Sequence, residues 1–438
     1  MEIAGGDGNC EESLFQDPDD DPTSLSYPDF PPNTDPKAVT YSDENASNLT
    51  NNSEQDYGTY YSGFGSVNAV NGQSYFQMQS NQVSCEPVLQ FDYCGDNSVY
   101  WTTKLDIEGS GELCGASNMF WRSGWCSCPQ NPNVSFWAGF LDGQVSDNYT
   151  NVVNKSTVYS KKIKSKRKTS QNKDVILIST DEVGNLVSSN VYGGPGEDAA
   201  TSITTIIPSQ NSLVNNSGGF AITGYFDKTI DFSGDGSEKL SSEGVDAFVT
   251  LFSSDGTHIK SGNNFIEAYE AKGKAIICDS DGNFILVLSI KETAQDQNGS
   301  TVIMKLDAEL EIIWQKVLYG GTHEIDPGNI VVGDKNGVVI TGSFNENLSI
   351  QDNQLQSNPE MHSMFAIGIN KNGSVIWFNS FGESDAPIIP TAIDNSPNNS
   401  LYISGYFTDD IIRENGSTLI PGNETSSFIV SIRPNAFT

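Results

Sequence analysis

The chain has 438 residues and carries 23 Lys and Arg against 56 Asp and Glu, a formal net charge of −33. That length accommodates two folding units, and a surface so acidic argues against binding to a nucleic-acid backbone. No run of 18 apolar residues occurs, so no membrane span is expected.

Residues 1–55 read as a disordered acidic tail. The stretch from Glu11 to Asn52 is dense in Asp, Pro, Ser and Asn, including DPDDDP and PDFPPNTDP, and lacks the apolar surface to fold alone. The start, MEIAGGDGNC, has neither a basic n-region nor an apolar h-region, so no signal peptide is read there.

Residues 56–150 differ from both flanks. They are rich in Tyr, Phe and Trp and hold five of the seven cysteines: Cys85, Cys94, Cys114, Cys126 and Cys128. Cysteines clustered among turns point to disulfides. Two other readings stay open, free thiols and zinc. The Cys126-x-Cys128 pair with Cys114 offers thiolates, but the section has no His and no double CxxC. Cys278, within AIICD, reads as a small core residue. Residues 151–173 form a basic island on the acidic background, with seven Lys and Arg between Ser160 and Lys173. It is expected to be an exposed loop. Lys166-Arg167 is a candidate processing site, and a nuclear-import or polyanion-binding patch is a third reading.

From residue 174 to 438 a unit of roughly 60 residues repeats. One marker is a β-run, a turn and a second β-run: VILISTDEVGNLVSSNVYGG from Val175, AFVTLFSSDGTHIKSGNNF from Ala247, VIMKLDAELEIIWQKVLYGG from Val302, MFAIGINKNGSVIWFNSFGE from Met364, and a truncated SFIVSIRPNAFT from Ser427. Between these copies lie GFAITGYF, GNFILVLSI, GVVITGSF and SLYISGYF, three of which carry Gly224, Gly342 or Gly405, with Leu288 in the fourth. Each run is short, apolar and β-branched, entered through Gly, Asn or Asp. Asp255-Gly256, Asp281-Gly282 and Asn372-Gly373 supply the positive-φ residues of tight turns. Two hairpins per unit make four antiparallel strands, and no sustained 3.6-residue period predicts helix.

These repeats resemble bacterial-type β-propeller repeats of the SBBP kind. The resemblance rests on Ile222 to Phe226, Asp246-Ala247-Phe248-Val249, Asp255-Gly256, Tyr192-Gly193-Gly194, Tyr319-Gly320-Gly321, Trp314 and Trp377. It implies a mostly β fold, a β-propeller of about five four-stranded blades, with four to six open, and says nearly nothing about activity. The first blade's missing half would come from Asn133 to Gly143 and Asn151 to Ser160. Circular closure would pair an early strand with the last blade.

Chemistry is sparse. His258, His323 and His362 sit in expected turns with no partner at metal-ligand spacing, and no nucleophile, P-loop or dinucleotide motif appears. No catalytic, cofactor-binding or metal residue is assigned. Calcium is weighed at Asp279-Ser-Asp281-Gly-Asn283 and at Asp231 to Glu238, against plain Asp-Gly turns. Thirteen N-x-S/T sequons occur. Asn133, Asn148, Asn215, Asn298, Asn347, Asn415 and Asn423 are the candidate glycosylation sites, against turn chemistry in an Asn-rich chain. The expected protein is therefore non-enzymatic, a structural or adhesive virion or cell-surface component that meets a protein or glycan on one propeller face. The alternatives are a polysaccharide-acting hydrolase or lyase and a cytoplasmic interaction scaffold.

Overall fold

The computed structural model describes residues 2–4, 58–70, 73–88, 91–94, 98–117, 121–122, 134–153, 157–162, 169–181, 184–206, 218–296, 299–320, 323–324, 329–333, 336–357, 363–381, 388–395, 401–407, 411–412, 418–419 and 426–432. The described residues are mostly β, arranged in several antiparallel sheets. The expected tail, apart from residues 2–4, lies outside them.

Five large sheets follow one another along the chain. Sheet I has nine strands and contains the path Leu186–Tyr192, Thr169–Asp181, Val134–Val153, Ser98–Ser117, Gln73–Val88 and Gly58–Val70. It runs across the basic island, so residues on both sides of 173 share one sheet. Sheet II is a plain meander of Ala199–Ile206, Gly219–Asp231, Lys239–Ser253 and His258–Gly262. Sheet III repeats it with Glu270–Cys278, Phe284–Lys291, Ser300–Leu306 and Ile312–Tyr319, then adds the hairpin Asn347–Ile350 and Asn353–Gln356. Sheet IV orders His323–Glu324, Val338–Phe344, Ser363–Ile369 and Val375–Phe381, with Ile330–Val332 also on Val338–Phe344. Sheet V joins Ile388–Asn395, Leu401–Phe407 and Ser426–Ile432, and Glu2–Ala4 pairs with the last of these.

Successive sheets pack face to face, and each interface has its own core. Phe136, Val175 and Leu177 of sheet I meet Phe220, Phe248 and Phe252 of sheet II. Val249 and Leu251 then meet Leu286 and Met304 of sheet III. Ile285 and Ile303 meet Ile340 and Ile367 of sheet IV. Val339 and Ala366 meet Ile403 and Val430 of sheet V. Strands buried on both faces explain why these runs are continuously apolar rather than alternating.

The first strands of neighbouring sheets are stitched by side chains. Thr201 Oγ1 donates to Gly273 O at 2.9 Å, Ile276 N–H donates to Ser202 Oγ at 3.2 Å, and Asn329 Nδ2 donates to Pro390 O at 3.1 Å. In sheets II, III and V the first strand carries a β-bulge where it faces the second-strand glycine position. These bulges lie between Ala200 and Ser202 opposite Gly224, between Gly273 and Ala275 opposite Leu288, and between Pro390 and Ala392 opposite Gly405. A Cβ on Gly224 would stand 1.9 Å from Ala199 O. Where the second strand has Leu288 instead, a glycine appears directly across at Gly273, whose Cβ would meet Thr223 Oγ1 at 2.3 Å. Gly224→Ala is therefore expected to force the first strand of sheet II aside and lower stability by about 2 kcal/mol. Chemical denaturation checks it, and a loss under 0.5 kcal/mol would refute the close approach.

Six hairpin turns share one geometry: Asp181 to Asn185, Ser253 to Thr257, Asp279 to Asn283, Asp307 to Glu311, Gly333 to Gly337 and Asn370 to Ser374. In each, the first residue's N–H bonds the fifth residue's carbonyl, and the fourth residue's N–H bonds the first residue's carbonyl. The fourth residue takes positive φ, as Gly184, Gly256, Gly282, Leu310, Asn336 and Gly373 do. This is the three-residue hairpin loop with a left-handed bulge residue. An Asp or Asn in first place adds a carboxylate or amide acceptor for the turn N–H groups.

The described strands form no closed barrel or ring. Sheet I instead folds onto itself. Gly109 faces Gly143, whose φ is 140°, midway along the long pair Ser98–Ser117 and Val134–Val153. Beyond that point Leu105, Val145 and Tyr149 pack in one core with Trp137, Ile178 and Leu186, and Thr103 Oγ1 donates to Gly184 O. Two glycines facing each other supply the backbone freedom for such a bend.

Candidate functional site

The richest side-chain chemistry lies where sheets I, II and III meet. The loop Gly193 to Gly196 leads out of sheet I into the first strand of sheet II. Its Gly194 N–H donates to Asp198 Oδ2 at 2.7 Å, and from the second strand of sheet II Asp227 N–H donates to Asp198 Oδ1 at 3.1 Å. Asn172 Nδ2 donates to Pro195 O at 2.9 Å. The glycines are required by close approach, since a Cβ on Gly194 would stand 1.9 Å from Thr229 O. In the second Tyr-Gly-Gly the first glycine, Gly320 at φ +96°, has Asn347 O 2.3 Å from its Cβ position. The repeated Tyr-Gly-Gly is thus a crossing of backbones rather than an anion cradle.

Burial pushes the Asp198 carboxyl up to about 7, against the two N–H bonds that favour its charge, and the charges of Asp174 and Asp227 add to the rise. A carboxyl raised in the folded state contributes stability that is complete below its unfolded pKa near 4. That contribution is lost as pH rises through 7. Relative to Asp198→Asn, the wild type is therefore expected to lose on the order of 2 kcal/mol between pH 4 and pH 8. Parallel denaturation series across that range check this. A constant difference between the two proteins would show that Asp198 keeps an ordinary pKa.

Beside this loop lies a row of cations and rings. Lys173 Nζ stands 3.8 Å from the Phe140 ring centroid and 5.6 Å from that of Tyr225, and Lys272 Nζ stands 4.9 Å from Tyr225. Lys272 and Lys291 both reach Glu270, at 2.7 and 3.4 Å. Burial opposes the charge on Glu270, but the two lysines outweigh it and hold its carboxyl below the usual range. Three lysines so gathered are notable on a chain of net charge −33. Each is at a ring or a carboxylate, which makes the row a clamp between sheets.

A shallow depression of 390 Å³ lies on sheet II, lined by Glu238, Lys239, Leu240, Ile259, Lys260 and Ser261. His258 stands beside it, at the head of a strand rather than alone in a turn. Its Nε2 is 2.8 Å from Ser261 Oγ and 3.8 Å from Glu238 Oε2, and Ser261 Oγ donates to Thr250 Oγ1 at 2.8 Å. Burial pushes the imidazole pKa down, against the pull of Glu238, Asp231 and Asp235. A nucleophile relay needs the acid and the hydroxyl on opposite ring nitrogens. Here both approach Nε2, and the ring sits edge-on to Phe252 with centroids 5.9 Å apart. The group is a polar staple across paired strands, Thr250 facing Ser261. His258 and Ser261 lie three residues apart on one strand, and strand pairing brings Thr250 to them.

The two loops weighed for calcium act as turn acceptors. Asp279 Oδ1 accepts from the N–H groups of Asp281 and Asn283, each at 2.9 Å, and Oδ2 meets Lys305 Nζ at 2.6 Å. Asp231 accepts from Ser233 Oγ and from the N–H groups of Gly234 and Gly236, which hold its pKa below the usual range despite burial. Among the described residues no group of three or more His, Cys, Asp or Glu is arranged to hold a metal ion.

Of the other sequence-derived residues, Cys85 and Cys94 face each other across paired strands, and Cys114 lies in Ser98–Ser117. Cys278 is buried in the core between sheets II and III. Asn347 is exposed at the start of its hairpin strand, and Asn148 lies in Val134–Val153. Cys126, Cys128, Asn133, Asn215, Asn298, Asn415, Asn423, Lys166, Arg167 and His362 lie outside the described residues. No helix among the described residues is long and apolar enough to cross a membrane.

No family model matches the chain, and no curated protein matches it. Solved structures that match include a protein of unknown function from Bacteroides caccae, at 8% identity and a TM-score of 0.23, over 68% of this chain and 91% of that one.

Proposed function

We propose that this chain is a non-enzymatic structural or adhesive surface protein, a virion or cell-surface component. In this reading its successive sheets act as blades of a propeller-type platform of about five units. One observation carries the reading: buried carboxylates are spent on holding the chain together. Asp198 ties the sheet I to sheet II crossing. Asp246 accepts from Asn263 Nδ2 and from the N–H groups of Asn264 and Ala247. Asp279 binds its own turn and Lys305. Acids so engaged serve rigidity rather than proton transfer, which needs a carboxyl poised at a substrate. Repeating bulges and side-chain stitches give the stack the stiffness that a binding platform requires. The propeller-type reading is supported by the side-chain stitches between the first strands of neighbouring sheets.

The test is incubation of the full chain with a panel of immobilised neutral and acidic polysaccharides and with host-type glycoproteins, assayed for retention and for newly released reducing or unsaturated sugar ends. Retention without release supports the platform. Release of sugar ends overturns it in favour of a polysaccharide-acting enzyme, and failure to retain on any surface favours the cytoplasmic scaffold.

A further inference from the structure

We propose that Cys85 and Cys94 are partners in one specific disulfide, closing the hairpin that Gln73–Val88 forms with Phe91–Cys94. The pairing rests on backbone register. Val88 faces Phe91, Pro87 faces Asp92, Glu86 faces Tyr93, and Cys85 faces Cys94. Directly opposed residues of an antiparallel pair share one face of the sheet. Their Cα atoms lie about 4.5–5.5 Å apart, according to whether the pair is hydrogen-bonded. A disulfide needs a Cα separation of roughly 4.4–6.8 Å. A directly opposed pair meets that Cα requirement, and a shift of one residue would put the two cysteines on opposite faces.

The remaining described cysteine of the region does not compete. Cys114 falls at a bulge between Leu113, which faces Gly139, and Gly115, which faces Ala138. It lies sixteen residues along its strand from Ser98, the residue nearest the Cys85 end of the pairing with Gln73–Val88. Cys85 also faces Gly58 on its other side, so the link would fix the corner at which three strands of sheet I meet.

The inference rests on the surface-protein reading only for where the oxidant is met. The bond forms by thiol–disulfide exchange with an external disulfide, either oxidised glutathione or a protein dithiol oxidase. One cysteine thiolate attacks a sulfur of the oxidant and expels a thiolate. The second cysteine thiolate then attacks the mixed disulfide and expels the other. Two protein thiols become one disulfide, and the oxidant leaves as two thiols, so electrons and protons balance.

The experiment equilibrates the purified full chain in an oxidised-to-reduced glutathione buffer, blocks remaining thiols with an alkylating agent at low pH, and digests with a Glu-specific protease and chymotrypsin. Glu86, Phe91 and Tyr93 lie between the two cysteines, so a linked pair appears as two peptides joined until reduction. The expected result is joined peptides carrying Cys85 and Cys94 in more than nine-tenths of the protein. In Cys94→Ser, Cys85 is expected to be fully alkylated. Alkylation of both residues in the oxidising buffer overturns the pairing, as does Cys85 joined to Cys114, Cys126 or Cys128. The same map on protein trapped at natural isolation separates the two claims. Linked peptides in the buffer with alkylated Cys85 and Cys94 at isolation would sink the surface location and leave the pairing standing.

Discussion

Lys305→Met is expected to cost about 4 kcal/mol of stability, because it leaves a buried carboxylate without its cation. Asp279 is fully buried, and the Lys305 side chain is 5% exposed with its Nζ 2.6 Å from Asp279 Oδ2. Three turn donors remain after the change: the N–H groups of Asp281 and Asn283 and the Nδ2 of Asn283. They stabilise the charge but do not neutralise it. Adding Asp279→Asn should restore most of the loss, since an amide oxygen suffices for this turn. Sheet IV demonstrates that: Asn370 Oδ1 accepts from Asn372 N–H at 3.1 Å and from Ser374 N–H at 2.9 Å in the same geometry. Urea denaturation of both single variants and the double variant closes the cycle. A single Lys305→Met loss under 1 kcal/mol, or a double variant no better than the single, would show the pair to be solvated.

The repeat was legible because its physics is local. The dipeptides Asp255-Gly256, Asp281-Gly282 and Asn372-Gly373 announce their turns from sequence alone, and the structure gives Gly256, Gly282 and Gly373 the expected positive φ. The second-strand glycines were legible as a marker but not as a cause. At Gly224 and Gly405 the reason is the first-strand bulge, and the exchange of Gly224 for Leu288 with Gly273 across from it can be understood only once the strands are paired. Long-range events left no local trace. The fold-back of sheet I depends on Gly109 and Gly143 meeting 34 positions apart in the chain. The hairpin from Asn347 to Gln356 falls between two strands of sheet IV yet extends sheet III, through Leu318 facing Ile350. His258, expected in a turn without a partner, lies on one strand with Ser261, and the folding of sheet II adds Thr250 and Glu238. Asp279 was read as a turn residue or a calcium ligand, and neither reading contains the lysine 26 positions away that neutralises it.

Phe220→Ala is expected to be as damaging, at about 4 kcal/mol, through a cavity between sheets I and II. Phe220 is fully buried and stacks on Phe136 of sheet I, centroids 4.3 Å apart, and on Phe252 of its own sheet at 5.0 Å. Phe252 in turn touches Phe232 and Tyr192, so one ring holds together a chain of contacts that crosses the sheet interface. Stacked rings add about 1 kcal/mol beyond the area they bury. Phe220→Leu keeps most of the volume and should cost less than half as much, which separates lost packing from a general intolerance of change. The damage should also be directional. Hydrogen exchange is expected to quicken in Val175 to Ile178 and Ala221 to Phe226, which line this interface. It should stay unchanged in Val338–Phe344 and Leu401–Phe407, whose cores lie two and three interfaces away. Uniform acceleration across all five sheets would mean that the stack unfolds as one cooperative block. Acceleration confined to the first two would mean that each interface is held by its own core, as nearest-neighbour stacking requires.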